Sequence, residues 1–164
     1  RIGIGIHTGP LMLGTIGGGD QLDSGVVGDT VNTAARLEGI TKMYGATALL
    51  SGATMQALSD PARRNLRPLD AVKAKGKSEP LVLVELLDAD GKQLRDDKLA
   101  HRGDLESALA AYRKGRFDEA ATLFDALAAE VPADGAARAF AERSKAFAQA
   151  PPASWDGVLA LQTK

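Results

Sequence analysis

The sequence predicts an α+β fold for residues 1–88, followed by a separate α-helical module. Ile2, Ile4 and Ile6 alternate with glycines, which is the period of a strand with one apolar face. Patterns typical of strands and helices then interleave as far as Leu87, and such interleaving indicates a sheet covered on one face by helices. Beyond residue 97 the chain becomes alanine-rich with helical periodicity. We therefore expect two domains, 1–88 and 98–164, joined by a polar linker at 89–97.

Composition narrows the classes of function. The chain has 164 residues, of which 45% are hydrophobic, so it can build a sizeable core. A net charge of -1 gives no reason to expect a nucleic acid as partner. The absence of cysteine excludes disulfides and thiolate metal sites. No segment is apolar for long enough to span a bilayer, so we expect a cytoplasmic location, with a tether to the inner membrane as an option for a region upstream of Arg1.

The first domain is expected to contain six strands and two helices. The strands are predicted at 1–7, 11–16, 24–27, 46–51, 66–75 and 81–87. The first helix is predicted to run from Asp29, as its N-cap, to about Tyr44, and a short second helix to cover 53–58. The glycine-rich stretch 17–20 is expected to form a hairpin tip. It is unlike a phosphate-binding loop, because neither a lysine–serine or lysine–threonine pair nor a helix follows it.

The second domain is expected to be built from helices at 98–114, 117–130 and 133–148. Small residues, aromatics and breakers in this region have the spacings of one tetratricopeptide repeat, whose period is about 34 residues. The matching positions are Ala108, Tyr112, Gly115, Phe117, Ala120, Phe124 and Pro132. A lone repeat cannot bury its own faces. We therefore expect the third helix and the tail through Trp155 to cap the repeat or to dock it on the first domain.

Two side chains of the first helix have the chemistry of a binding site. Asn32 and Arg36 are four residues apart, so they lie on the same helix face. The arginine offers a planar fork of donors that suits a phosphate, and the asparagine offers a donor and an acceptor to a sugar or phosphate oxygen. Spacing by itself leaves a solvated helix face as the alternative. His7, at the end of the first strand, is expected to fill a structural position.

The segment from Gly28 to Glu38, which reads GDTVNTAARLE, occurs here after a strand and a hairpin. In this order the first 88 residues resemble the C-terminal half of the class III nucleotidyl cyclases. The resemblance implies a ferredoxin-like cyclase palm, here partial because the N-terminal half of the domain is missing. It also implies a head-to-tail homodimer with active sites at the subunit interface. The expected reaction closes a 3′,5′-cyclic nucleotide from ATP or GTP and releases pyrophosphate.

The same resemblance assigns roles to individual residues. Asn32 corresponds to the asparagine that orients the ribose, and Arg36 to the arginine that stabilises the transition state. Lys75 corresponds to the lysine that contacts the terminal phosphates, with Lys77 as the reserve assignment. At the second purine contact this chain departs from the family, since Gly25 stands where adenylyl cyclases have aspartate or threonine. The choice between ATP and GTP therefore stays open.

Family members use two divalent ions, magnesium or manganese, and the aspartates that hold them are expected upstream of Arg1. We predict no metal site in this fragment, and we expect the fragment to be inactive by itself. Two alternatives remain. The first is a degenerate cyclase domain that binds nucleotide or a partner as a regulatory module. The second gives the main role to the helical module, as a surface for a protein partner.

Overall fold

The computed structural model describes residues 2–18, 21–74 and 79–161. The strands in these ranges are β1 (Ile4–Ile6), β2 (Met12–Gly18), β3 (Gln21–Val27), β4 (Ala48–Ser51), β5 (Leu66–Ala74), β6 (Leu81–Leu86) and β7 (Leu159–Leu161). The helices are α1 (Asp29–Tyr44), α2 (Gly52–Ala57), α3 (Lys92–Ala100), α4 (Arg102–Arg113), α5 (Phe117–Glu130) and α6 (Gly135–Gln149). None of these helices combines the length and apolar character needed to cross a bilayer.

Five of the strands form one mixed sheet in the order β1-β4-β6-β5-β7. β1 runs parallel to β4, β6 is antiparallel to both β4 and β5, and β7 runs parallel to β5. β2 and β3 form a separate antiparallel hairpin. All six strands expected from the sequence are present, and the C-terminal tail adds β7, which was not predicted.

The glycines of the first strand allow α1 to lie directly on the sheet. A Cβ atom added to Gly5 would stand 2.2 Å from the carbonyl oxygen of Ala34, and one added to Gly3 would stand 2.2 Å from the hydroxyl of Thr41. Real side chains do not approach so closely, so only glycine fits at these positions. The prediction that the glycine face admits another backbone is confirmed. On the opposite face, Ile2 and Ile4 are exposed.

Helices flank both faces of the sheet. On one face, α1 and helices α4 to α6, called the helical extension below, share a single core with sheet residues such as Leu49, Leu69 and Leu83. On the other face a smaller cluster formed by Leu50, Leu66 and Val84 is covered by side chains of α2 and the residues after it. The expectation that helices cover one face was therefore wrong for α2. Strand residues alternate between faces, and both sets are apolar here.

The start of α1 differs from the prediction by one residue. Gly28 occupies the N-cap position, without a side-chain capping bond, and Asp29 is the first helical residue. The helix end is held instead by threonines: Thr33 donates to the carbonyl of Asp29, and Thr30 donates to the carbonyl of Pro10. Asp29 still suits this position, because a negative charge in the first turn interacts favourably with the helix dipole.

The region expected to be a linker is structured. It begins in a 3-10 turn at Leu87–Ala89 and continues into α3. The helix predicted at 98–114 is broken at His101, so α3 and α4 are separate. Lys98 explains the direction of α3: its ammonium is buried and lies 2.8 Å from Glu85 on β6 and 2.7 Å from Asp90. The polar composition of 89–97 thus reflects a surface helix tied to the sheet.

A buried ion-pair network joins the sheet to the helical extension. Arg67 on β5 makes two hydrogen bonds to the carboxylate of Asp134, at 2.7 and 2.9 Å, and pairs with Glu85 at 2.7 Å. Asp134 also caps α6 by accepting from the backbone of Ala136 and Ala137. Burial opposes charge on Arg67, but the bond to Asp134 and the charge of Glu85 outweigh it and raise the pKa of Arg67.

A second network links the end of α1 to α6. Tyr44 donates to Asp70 on β5, and Arg143 on α6 lies 2.9 Å from the same carboxylate. The guanidinium of Arg143 also lies over the rings of Tyr44 and Phe140, 5.2 and 5.0 Å from their centroids. Burial raises the pKa of Tyr44 well above its usual range, with Asp70 adding to the effect, so the hydroxyl remains a donor. The extension is therefore fixed to α1 by polar as well as apolar contacts.

Helices α4, α5 and α6 enclose the aromatic core of the extension. Tyr112 and Phe124, two positions of the proposed repeat, are buried completely. Gly115 between α4 and α5 has φ +73°, which favours glycine at that turn. The tail docks here through Trp155, whose ring lies 5.0 Å from that of Tyr112 and whose Nε1 donates to the Tyr112 carbonyl. The docking expected of the tail is observed, while the tetratricopeptide assignment stays a prediction.

Candidate functional site

Asn32 and Arg36 lie together in the first half of α1. Asn32 is exposed and Arg36 is half-buried. Both line one groove of about 600 Å³. The full lining is Asp29, Asn32, Ala35, Arg36, Gly39, Ile40, Met43 and Leu161. The structure thus brings the two predicted side chains to the same surface of the helix.

The groove has a polar end and an apolar end. Asp29, Asn32 and Arg36 line the end near the helix N-terminus, and Ile40, Met43 and Leu161 line the other. Ala35 and Gly39, which lie between them on the helix, have little or no side chain, so the helix surface beside Arg36 stays open. A ligand with a polar, anionic part and a less polar part would match this division.

Arg36 is available to a ligand. Within the described ranges, neither Asn32 nor Arg36 forms an ion pair or a side-chain hydrogen bond with another residue. The contrast with Arg67 and Arg143 is clear, because both of those guanidiniums are occupied by buried carboxylates. A half-buried arginine with free donors can offer its planar fork to a phosphate.

A smaller groove of about 210 Å³ lies on the other side of Arg36. It is lined by His7, Asp29, Thr33, Arg36, Glu79, Pro80 and Leu81. Glu79 and Pro80 belong to the connection between β5 and β6, so this connection returns to the sheet beside Arg36. Lys75 and Lys77 belong to the same connection but lie outside the described residues. Their roles remain predictions.

His7 has a structural contact at the edge of the smaller groove. Its Nδ1 lies 2.7 Å from the hydroxyl of Ser51. Ser51 in turn caps α2 by accepting from the backbone of Thr54. His7 therefore links the end of β1 to the start of α2, which agrees with the structural position expected of it.

Gly25 lies in β3 and is half-buried. In the hairpin register it stands opposite Gly14. Neither member of this pair has a side chain, so the position expected to contact a purine offers only backbone groups. Its role in base recognition stays a prediction.

The described residues do not form a site for two divalent ions. Among them no group of three or more histidine, aspartate or glutamate side chains is close enough together to hold a metal. The larger groove contains one carboxylate, that of Asp29. Two ions of the kind expected need several oxygen ligands, so the groove residues do not suffice.

Sequence reasoning missed the contribution of the C-terminal tail to the groove. Leu161 lies 125 positions after Arg36 and reaches the groove through β7. One signal was present in the sequence: Leu159 and Leu161 alternate after Gly157, as in a short strand. The alternation does not indicate which strand β7 pairs with, so its pairing with β5 could be identified only from the structure.

Comparison with known proteins identifies the family. The family described as "Adenylate and Guanylate cyclase catalytic domain" matches residues 1–85. An adenylate cyclase of Anabaena cylindrica is 44% identical over 86 residues, which cover 52% of this chain and 17% of that protein. Adenylate cyclase 1 of Rhizobium meliloti is 42% identical over 87 residues, covering 53% and 13%. Retinal guanylyl cyclase 2 of Rattus norvegicus is 39% identical over 85 residues, covering 51% and 8%.

The family match ends within β6. The chain spans less than a fifth of the length of the relatives quoted. The relatives include both adenylate and guanylyl cyclases, and the family match covers the hairpin and α1 with Asn32 and Arg36 but not β7. The chain belongs to the family of adenylate and guanylate cyclase catalytic domains.

Proposed function

We propose that this chain supplies residues that orient the substrate and stabilise the transition state in the active site of a class III nucleotide cyclase. The observation that best supports this proposal is the groove on α1. Asn32 and Arg36 both line it, and neither side chain has a partner among the described residues. Family membership supports a nucleoside triphosphate as the ligand of this groove. We favour ATP, with GTP as the alternative, because bacterial adenylate cyclases are among the similar proteins and Gly25 leaves base selection to other groups.

In the proposed reaction the 3′ oxygen of the ribose attacks the α-phosphorus of the same nucleotide. A new O–P bond forms, the bond to the β-phosphate oxygen breaks, pyrophosphate leaves, and the 3′ hydroxyl loses its proton. Asn32 orients the ribose by hydrogen bonds. Arg36 faces the charge that develops on the α-phosphate, and a preorganised donor of this kind is worth about 3 to 4 kcal/mol. Lys75, or Lys77 in reserve, binds the terminal phosphates.

The expected divalent ions activate the nucleophile and neutralise the triphosphate when bound. Because the described residues do not form a site for them, we assign their ligands to other parts of the protein. No step of the proposal for Asn32 and Arg36 depends on where those ligands lie.

A second copy of the protein is the proposed partner. Apolar side chains are exposed on the hairpin and at the start of α1, next to the groove. They are Leu11 (52% exposed), Met12 (74%), Leu13 (76%), Val26 (46%) and Val31 (39%). A patch of this kind is typical of a protein interface. Its position supports a head-to-tail homodimer in which the partner completes the site.

The test uses the full-length protein that contains this chain, with ATP or GTP and manganese, and measures cyclic nucleotide. Arg36→Ala should lower kcat by about 100-fold or more, as expected for removal of a transition-state contact. Arg102→Ala is the matched control, because Arg102 lies on the surface and pairs with Glu106 within α4. If Arg36→Ala and Arg102→Ala have the same activity, the proposal is wrong. Nucleotide binding without turnover in the unmodified protein would favour the degenerate regulatory domain.

A further inference from the structure

The C-terminal tail follows a defined path from the helical extension to the edge of the sheet. Trp155 packs against Phe117 and Phe147, with ring centroids 5.4 and 5.5 Å away. Gly157 then turns the chain with φ +85° next to the carbonyl of Arg113. The next residues pair with β5 as a parallel strand, with Val72 opposite Leu159 and Ala74 opposite Leu161. The tail is therefore anchored at both ends of this path.

Leu161 occupies a junction between two grooves. It lines the groove of Asn32 and Arg36, and with Met43 it also lines a neighbouring groove of about 580 Å³. That second groove continues along α6, where Glu142 and Arg143 contribute to its wall. Leu159 lines only the second groove. Leu161 is thus the tail residue that borders the proposed catalytic face.

We propose that β7 is part of the nucleotide site, with Leu161 as a positioning residue in the apolar wall of the groove that Arg36 also lines. This inference rests on the proposed cyclase function.

The physical effect of this wall is to reduce the water in the groove that Arg36 lines. Attraction between Arg36 and a phosphate strengthens as the effective dielectric falls. An apolar side chain at position 161 lowers it without competing for the phosphate. The anchoring of Trp155 in the aromatic core of the extension keeps the wall in place, which gives the extension a role at the site.

The experiment places a charge of either sign at position 161. The variants Leu161→Glu, Leu161→Lys and Leu161→Gln are made in the full-length protein, and KM and kcat are measured with ATP or GTP and manganese. Ala153→Glu and Ala153→Lys are the controls, because Ala153 is exposed on the same tail and lines neither groove. Thermal unfolding of every variant reports any general damage to the fold.

If the wall borders the polyphosphate, Leu161→Glu should raise KM by about tenfold relative to Leu161→Lys, with Leu161→Gln between them, since the nucleotide carries several negative charges. The two Ala153 variants should not differ. A purely structural role predicts equal effects of glutamate and lysine, and that result, or no effect of either, overturns the proposal. Comparing the two charges with glutamine remains informative even if all three variants lose some stability.

Arg36→Ala, assayed in parallel, separates the two proposals. If Arg36→Ala loses activity while the charges at position 161 act alike, the cyclase function stands and the role of β7 is wrong. If Arg36→Ala remains fully active, the proposed function itself fails.

Discussion

The buried carboxylate of Asp134 offers a quantitative test of how firmly the helical extension is fixed to the sheet. Its side chain is completely buried and forms two hydrogen bonds with Arg67, which is 1% exposed. Removing one partner of such a pair leaves a buried charge poorly compensated and costs about 3 kcal/mol. Loss of the cap of α6 adds about 1 kcal/mol. We therefore expect Asp134→Ala to lower the free energy of unfolding by about 4 kcal/mol.

Urea denaturation followed by circular dichroism measures this change. Asp134→Asn should be less damaging, because it removes the charge but keeps an oxygen that can cap α6. Asp125→Ala is the control, since Asp125 pairs with Lys145 on the surface with both side chains about half exposed. Exposed pairs contribute about 1 kcal/mol or less. If Asp134→Ala destabilises the chain no more than Asp125→Ala, the network does not join the two parts as described.

The same carboxylate should make stability depend on acid. Burial by itself would raise the pKa of Asp134, but the hydrogen bonds and charge of Arg67 outweigh it and hold that pKa below its ordinary value. A carboxylate with a lowered pKa in the folded state stabilises the fold above its unfolded pKa of about 4. This contribution is lost as the pH falls through the folded pKa. The difference in stability between the original chain and Asp134→Asn should therefore shrink below about pH 4, and a difference that grows there would contradict the assignment.

Three further predictions concern the site and the packing around it. Arg36→Lys should not restore the activity lost in Arg36→Ala, because lysine lacks the planar fork; measured kcat values close to those of the original protein would contradict this. Residues 1–164 alone should produce no cyclic nucleotide at any manganese concentration, and measurable turnover would show that the assignment of half a site to this chain is wrong. Gly135→Ala should destabilise by about 1 to 3 kcal/mol in urea titrations, because its Cβ would stand 2.8 Å from the carbonyl oxygen of Tyr44. Gly103→Ala is the control: nothing lies within 4 Å of its added Cβ, so it should be neutral or stabilising.

Much of the first 88 residues could be predicted because local patterns and tertiary structure agree there. The glycines of β1 indicated a close backbone approach, and α1 provides it at Ala34. The break between α3 and α4 could not be predicted in the same way. It depends on the buried contact of Lys98 with Glu85, 13 positions earlier on a strand, and helical periodicity carries no information about that partner.

The candidate site likewise combines residues whose placement could be predicted from the sequence with one whose placement could not. Asn32 and Arg36 are four residues apart on one helix, so their sharing a face follows from helix geometry. Leu161 reaches the same groove by way of a turn, a parallel strand pairing and an aromatic anchor. Each of these depends on long-range packing, and a sequence of alternating leucines cannot specify where such a strand will pair.

The parallel pairing of β7 with β5 also has a consequence for the order of folding. Val72 and Leu159 are register partners on neighbouring strands of the sheet although 86 residues separate them along the chain. During synthesis the outer edge of β5 therefore stays unpaired until the tail has left the ribosome. An open strand edge is a template for association with other chains. Contacts between such distant residues also slow folding, because a long loop must close before they form. Ending the chain before β7 would leave that edge open, so we expect chains truncated there to aggregate during expression even when α1 is intact.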